Sequence, residues 1–364
     1  MFSRKISRVF IVLLSFALLL IDLEVALRIS SREMKGKAVS VIEDQPVYQL
    51  DSDLIYSFRP NSKRTESTFE DFIDEKIINK LGFRDLRGGI EKNSRILVAM
   101  GDSFVEGIGV DRKDTYPAVL ESQLKRRNIK MQVINAGISG YGPDQVYRLI
   151  IKKILPMDPD IILWNITYPD DLYSSAFWLP SLYSISDGNL KARNGWANWQ
   201  FLQNFLSYYS PGIIKNSYLY SFVFNKLQNL MINIRSRSSF DENLSRSIEK
   251  LVLQLNNLKE ISRYRGIELV VVFVPMKNTF NIQTGYNLGT KTQETNMMIS
   301  LKSKLDKSNI NYIDIYNEMK LNGLLEENFD PHDLFYIHDV HPNEVGNMIF
   351  AKAVSPKLTE ILSQ

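Results

Sequence analysis

Three residues of this sequence have side chains suited to covalent acyl transfer: Ser103, His341 and Asp339. Ser103 follows an apolar run at residues 96–100, which predicts a buried strand leading into a helix. A serine hydroxyl becomes nucleophilic when an imidazole takes its proton, and a carboxylate that fixes the imidazole tautomer improves this base. His341 lies two residues after Asp339, so the two side chains can meet on one turn. The pattern predicts Ser103 as nucleophile, His341 as general base and Asp339 as the orienting acid.

The other histidines of the chain, His332 and His338, lie close to Asp333. Histidine and aspartate are zinc ligands, but a structural zinc site needs four of them at suitable spacing. No further ligand stands at helical spacing, so we interpret these residues as loop residues. We expect no metal and no cofactor.

Two shorter segments follow other predicted strands and could hold a developing negative charge. Gly137 follows the apolar residues 131–134 and can present a bare backbone N–H to an oxyanion. Asp170 and Asp171 follow the strand-like residues 161–167. The sequence predicts that all of these groups meet at one edge of a sheet.

The order of these segments resembles the SGNH (GDSL-type) hydrolases. The resemblance runs from about residue 95 to 353 and comprises four blocks in order. These are a G-D-S block at Gly101–Ser103, a glycine block at Gly137, a third block at Asp170–Asp171 and an Asp/His block at Asp339–His341. Residues 79–84 (NKLGFR) and 140–142 (GYG) are similar to a membrane-anchored bacterial branch of that family. The resemblance implies a serine-dependent esterase that acts through a Ser-His-Asp triad.

The sequence departs from the family pattern in two places. The third block usually ends in Asn-Asp, and the asparagine amide donates to the oxyanion, whereas this chain has Asp170 there. Either burial beside Asp171 keeps Asp170 protonated and able to donate, or Asn165 replaces it, or the site is weakened. Many members also place the acid three residues before the histidine, where this chain has His338. We retain Asp339 as the predicted acid.

Three more residues are candidates for the oxyanion or substrate-binding set. Asp102 lies beside the nucleophile in the G-D-S block. Arg84 either binds an anionic group of the substrate or forms a salt bridge that fixes the segment before the fold. Lys277 follows another predicted strand at its carboxyl end, which places it at the pocket lining.

The elements that must position these residues alternate along the chain from residue 95 onward. Predicted strands are residues 95–100, 131–135, 161–165, 268–274 and 312–315. Predicted helices are residues 116–127, 143–154, 243–265, 292–307 and 342–362. This alternation predicts an α/β fold, a three-layer α/β/α flavodoxin-like sandwich with a parallel sheet, and ligands bind such sheets at the carboxyl ends of the strands.

Composition limits the class of protein. The 364 residues, 44% hydrophobic and 23% charged, suit one sizeable domain with additions. The net charge is only +3 and basic residues are mixed with acids, which argues against nucleic acid as a partner. The absence of cysteine excludes disulfides and thiol chemistry.

The N-terminus predicts attachment to a membrane. Arg4, Lys5 and Arg8 precede an apolar core at residues 9–21 that resumes as far as residue 27. A bilayer span needs roughly 20 residues, and a basic flank stays cytoplasmic. We predict an uncleaved anchor at residues 1–29, with the catalytic domain in the periplasm or outside; a cleaved signal and a buried helix are the alternatives. Residues 30–94 are a linker and lead-in, and residues 95–364 form the hydrolase-like domain.

An aromatic-rich insertion at about residues 173–242 interrupts the alternation and holds three of the four tryptophans. One interpretation is an aromatic cap, which stacks on a sugar or holds an acyl chain. The other is a helical subdomain whose aromatic residues form its own core. The predicted substrate is an ester, with an acylated carbohydrate favoured by the envelope location. An O-acyltransferase with the same triad and a non-catalytic glycan-binding or assembly protein are the alternatives.

Overall fold

The structure is a computed structural model that describes residues 19–24, 39–41, 47–68, 71–85, 87–177, 181–193, 240–280, 291–325 and 330–363. The chain divides into two units, Met1–Ala38 with Gln203–Ser238 and Val39–Leu202 with Ser239–Gln364. Of the first unit only residues 19–24 are described, and they are helical. Most of the predicted anchor at residues 9–27 lies outside the described ranges. Within those ranges, no helix combines the length and apolarity that a membrane crossing requires.

The predicted lead-in contains regular antiparallel structure. Strand β1 (Val39–Val41), β4 (Lys63–Thr68) and β5 (Phe72–Ile77) form one sheet in the order β1-β4-β5. Strands β2 (Tyr48–Asp51) and β3 (Ile55–Phe58) form a separate hairpin. The described part of residues 30–94 therefore contains five β-strands.

Five parallel strands form the central sheet, in the order β12-β11-β8-β6-β7. Their bounds are β6 Ile96–Met100, β7 Gln132–Asn135, β8 Ile161–Tyr168, β11 Glu268–Pro275 and β12 Asn311–Asp314. All five residues of β6 and all eight of β8 are buried, as expected for strands covered on both faces. The strand order is that of flavodoxin-like folds, and the parallel α/β sheet predicted from the sequence is confirmed. The order reverses between β6 and β8.

Beyond residue 177, the structure describes residues 181–193 and 240–242 of the aromatic insertion. The first of these ranges contains a short hairpin of β9 (Tyr183–Ser186) with β10 (Asn189–Ala192). Residues 194–239 lie outside the described ranges. The prediction of an aromatic cap therefore falls mostly outside them.

Helices cover both faces of the sheet. In chain order they are α1 Ser103–Glu106, α2 Tyr116–Arg126, α3 Pro143–Leu149, α4 Asp170–Phe177, α5 Phe240–Arg265, α6 Lys291–Lys307, α7 Ile315–Leu321 and α8 Glu344–Ile361. Alternate residues of β6 pack into two separate cores, Val98 with α3 and α5 residues and Leu97 with α2 and α8 residues. This alternation gives the three layers.

Two predicted helix boundaries need correction. The last helix begins at Glu344, not at Pro342, because Asn343 is its N-cap and accepts a hydrogen bond from the Gly346 N–H at 3.0 Å. Asparagine at an N-cap satisfies an N–H group that the helix leaves unpaired. The helix predicted at residues 143–154 is regular only through Leu149 and continues as a π-helical turn, Ile150–Ile154.

Candidate active site

Ser103 is the first residue of α1, directly beyond the carboxyl end of β6. The turn is held by Asp102, whose carboxylate accepts a hydrogen bond from the Phe104 N–H at 3.0 Å. Gly101 lies so close to Val105 that an added Cβ would be 2.6 Å from its Cγ2 atom. The Gly-Asp pair therefore allows a tight strand-to-helix turn that presents Ser103.

His341 and Asp339 lie on a loop that is closed at its base. Phe335 and Pro342 form an antiparallel bridge, and the Tyr336 N–H donates to the His341 carbonyl at 3.2 Å. Within the loop, Oδ1 of Asp339 accepts from the His341 backbone N–H at 2.9 Å and lies 2.5 Å from its Nδ1. The short Asp-x-His spacing thus lets one carboxylate oxygen fix both the backbone and the ring of the histidine.

The structure brings the three predicted catalytic residues together. Nε2 of His341 lies 2.7 Å from Oγ of Ser103, and the ring is 5.2 Å from the ring of Phe104. The side chains of His341 and Asp339 are 13% and 26% exposed. The hydroxyl, imidazole and carboxylate therefore form one hydrogen-bonded chain that remains accessible to a small molecule.

The environment of Asp339 favours its charged form. Partial burial raises the pKa of its carboxyl. The hydrogen bonds and charge of His341, together with the charge of Lys277, lower that pKa by more than burial raises it. The net pKa lies below the ordinary value of aspartic acid. Asp339 is consequently an anion that stabilises an imidazolium at His341.

A group of carboxyls lies beside the nucleophile, where β6 and β8 end. The hydroxyl of Thr167 donates to Asp102 at 2.9 Å, and the Thr167 N–H donates to Asp171 at 2.8 Å. Burial raises the pKa of Asp102 to about 6. The hydrogen bonds that its carboxylate accepts from Phe104 and Thr167 lower this pKa, and the charge of Asp170 raises it. Burial and the charges of Asp102 and Asp170 raise the pKa of Asp171 well above its ordinary value. The carboxyls of Asp102 and Asp171 are therefore harder to ionise than an ordinary aspartic acid, and the charge of Asp170 contributes to both shifts.

Two of the predicted oxyanion donors are engaged elsewhere. The Gly137 N–H donates to Oδ1 of Asn135 at 3.0 Å, and a Cβ at Gly137 would lie 2.3 Å from the Glu106 nitrogen. Gly137 is needed for close packing against α1, and in this structure its N–H is engaged with Asn135. The buried Asn165 amide donates to the carbonyls of Met100 and Leu163 at 3.0 and 3.1 Å. Both its N–H groups are used, so it does not replace the missing asparagine of the third block.

The two predicted cations hold backbone carbonyls. Arg84 is 1% exposed and donates to Asp74 at 2.7 Å and to the carbonyls of Gly107 and Val110 at 2.7 and 2.8 Å. This is the salt-bridge alternative, and the anion-binding prediction for Arg84 is wrong because the guanidinium is enclosed. Lys277 donates to the carbonyls of Tyr336 and Ile337, so it holds the histidine loop.

Glu106 is a residue that the sequence analysis missed. It is fully buried on α1, accepts from the Ser139 N–H at 2.6 Å, and lies 2.9 Å from Nζ of Lys76. It thereby ties the loop after β7 to the nucleophile helix. A signal was present, because an acid three residues after Ser103 lies on the same helix as the nucleophile.

No protein-family model matches the chain, and no curated protein matches it. Among solved structures, the chain is similar to a lipolytic protein of the G-D-S-L family from Desulfitobacterium hafniense, with 12% identity, a TM-score of 0.40, and coverage of 72% of this chain and 98% of that one. It is also similar to the acetylxylan esterase Axe2 from Geobacillus stearothermophilus, with 13% identity, a TM-score of 0.41, and coverage of 72% and 94%. A third is TesA, with 11% identity, a TM-score of 0.40, and coverage of 73% and 99%. The first of these names the family that the sequence motifs resemble.

Proposed function

We propose that this protein is a serine-dependent esterase that hydrolyses acyl esters through Ser103, His341 and Asp339. The observation that carries the proposal is the unbroken chain of contacts from Oγ of Ser103 to Nε2 of His341 at 2.7 Å and from Nδ1 to Asp339 at 2.5 Å. Distances of this size allow His341 to take the Ser103 proton while Asp339 holds the ring and stabilises its charge. A serine, a histidine and an acid from distant segments meet here at the switch point of a parallel sheet, where ligands bind.

The reaction follows from these positions. With its proton on Nδ1, His341 donates to Asp339 and its Nε2 lone pair accepts the Ser103 proton as Oγ attacks the ester carbonyl carbon. The protonated ring then gives that proton to the leaving alkoxide as the C–O bond breaks, which leaves an acyl-serine and a free alcohol. Water attacks the acyl group by the same route, releasing the acid and restoring the serine.

The oxyanion of the tetrahedral intermediate needs hydrogen-bond donors. The Ser103 N–H, at the first turn of α1, makes no hydrogen bond to another described residue in the structure. Asp170, at the start of α4, is the further candidate donor, and a carboxyl donates to an oxyanion only in its protonated form. Removal of one such donor from an acyl-transfer site typically costs about 3 kcal/mol of transition-state stabilisation.

An O-acyltransferase is the second candidate, because the same acyl-serine reacts with a sugar hydroxyl in place of water. We further propose that the enzyme is attached to the cell envelope by residues 9–27 and acts on acylated carbohydrate outside the cytoplasm. The basic residues Arg4, Lys5 and Arg8 before that apolar run support this orientation. The alternative is a non-catalytic glycan-binding protein that keeps the fold. Asp170 supports it, because an ionised carboxylate at this position would repel an oxyanion.

The test uses the full-length chain with a short-chain nitrophenyl ester, and compares wild type with Ser103→Ala and with Ser122→Ala. Ser122 is an exposed serine on α2 and serves as the matched control. We expect turnover in wild type and Ser122→Ala, loss of at least about 1,000-fold in Ser103→Ala, and an acyl adduct on Ser103 by mass spectrometry. Turnover that persists in Ser103→Ala would refute the proposal. An acceptor sugar that becomes acylated identifies the transferase.

A further inference from the structure

We propose that the tip of the β4–β5 hairpin is a positioning element for the general base, in which Asp71 and Phe72 hold the loop that carries Asp339 and His341. This inference rests on the proposed function and concerns the same site. The hairpin precedes the hydrolase-like domain in sequence, and nothing in the catalytic motifs includes it. Its two ends nevertheless contact the two halves of the candidate active site.

At its tip the hairpin contacts the residues just before Asp339. Oδ2 of Asp71 accepts a hydrogen bond from the His338 N–H at 2.9 Å. The ring of Phe72 lies 4.5 Å from the ring of Tyr336, centroid to centroid, at an angle of 48°. A hydrogen bond to a carboxylate and an aromatic pair are both directional contacts, so together they restrict where this loop lies.

Two other elements hold the same loop from different sides. The Tyr336 hydroxyl donates to the Gly109 carbonyl at 2.6 Å, and Lys277 donates to the carbonyls of Tyr336 and Ile337. Gly109 lies against both rings, since an added Cβ would be 2.7 Å from Tyr336 and 2.9 Å from Phe72. Of these contacts, only the hydrogen bond that Asp71 accepts from the His338 N–H involves the residue directly before Asp339.

Further along, the hairpin is fixed to the nucleophile side of the site. Lys76 on β5 lies 2.9 Å from Glu106 of α1. Asp74 on the same strand binds Arg84, which in turn donates to the carbonyls of Gly107 and Val110 directly after α1. These groups are buried, so their ion pairs are weakly screened by solvent.

The consequence concerns the distance between nucleophile and base. Ser103 and His341 are separated by 238 positions, and one 2.7 Å contact joins them. The hairpin is a rigid connection between α1 and the histidine loop that does not pass through this contact. A displacement of the base by 1 Å is enough to cost on the order of 100-fold in rate.

The experiment compares Asp71→Ala, Asp71→Asn and the control Ile73→Ala in the full-length chain, with a short-chain nitrophenyl ester as the probe. Asparagine keeps an oxygen that accepts from the His338 N–H, whereas alanine does not. Ile73 lies two residues after Asp71, on β5, and is 66% exposed. The concentration of competent sites is titrated with a fluorophosphonate, so that kcat is expressed per active site and unfolded protein is not counted.

We expect Asp71→Ala to lower kcat about 10-fold with KM unchanged, Asp71→Asn to recover most of this loss, and Ile73→Ala to match wild type. If Asp71→Ala does not fold, Phe72→Leu keeps the apolar packing, removes the ring contact with Tyr336 and is expected to show the same fall in kcat. A kcat per active site equal to wild type in both variants overturns the positioning role while the esterase proposal stands. Absence of any turnover or labelling in wild type overturns both.

Discussion

The Nδ1 atom of His341 lies 2.5 Å from Oδ1 of Asp339, and the same oxygen accepts the His341 backbone N–H. Substitution Asp339→Asn keeps an acceptor for the backbone but removes the charge that stabilises the imidazolium. We expect kcat for a nitrophenyl ester to fall about 1,000-fold or more, with little change in KM. Asp333→Asn, at an exposed position shortly before the loop, is the control. A fall of less than 10-fold at Asp339 would remove it from the triad.

Asp170 occupies the position where the resembled family has an oxyanion-binding asparagine. An asparagine amide donates a hydrogen bond to an oxyanion, whereas an ionised carboxylate repels it. Asp170→Asn supplies a donor at every pH, and we expect kcat at pH 8 to rise about 10-fold or more.

The matched control is Asp171→Asn, which neutralises a carboxyl of the same group without placing an amide at that position. The measurement is kcat from pH 5 to 9 for all three proteins. Equal gains in the two variants would show a general charge effect, and no gain in Asp170→Asn would exclude this residue from the oxyanion site.

Gly137 packs so tightly on α1 that an alanine Cβ would lie 2.3 Å from the Glu106 nitrogen and 2.7 Å from the Val105 carbonyl carbon. Both are backbone atoms, so the helix that carries Ser103 must move. We expect Gly137→Ala to reduce the free energy of unfolding in urea by about 3 kcal/mol. Gly88→Ala, where nothing lies within 4 Å of the added Cβ, should change stability little. A stable, inactive Gly137→Ala would instead favour the oxyanion role.

Burial raises the pKa of Asp102 to about 6. Between the ordinary pKa of 3.8 and this value, the folded state keeps a proton that the unfolded state has lost, so stability falls as pH rises through this window. Asp102→Asn keeps both hydrogen bonds and removes the ionisation. We expect its stability relative to wild type to increase by up to about 3 kcal/mol between pH 4 and pH 7.

Urea unfolding at a series of pH values measures this difference. Asp111→Asn is the control, since the Asp111 side chain is 69% exposed and its neutralisation should not change the slope. Parallel stability curves for Asp102→Asn and wild type would mean that Asp102 is already ionised at low pH in the folded protein.

The sheet was predictable from the sequence because its strands are buried on both faces. Runs such as residues 96–100 and 269–274 are apolar without interruption, and that pattern has few interpretations when helices separate the runs. The trio of Ser103, Asp339 and His341 was predictable for a related reason. Each lies at a motif with its own local geometry, and the topology of a parallel sheet brings such motifs to one edge.

The partners of Gly137, Asn165 and Arg84 were not predictable in this way. Whether a glycine N–H or an amide is free depends on which side chain lies beside it, and Asn135 and the carbonyl of Met100 decide that here. For Arg84 the deciding partners come from a separate hairpin and from the turn after α1. Sequence spacing carries no information about such contacts between elements.

Glu106, Lys76, Asp74 and Arg84 join the segment before residue 95 to the nucleophile helix through buried charges. A buried charge that loses its partner costs several kcal/mol, so none of these residues can change alone. The two segments are therefore expected to evolve together. A chimera that takes its first ninety residues from a relative will need that relative's α1 and following turn as well.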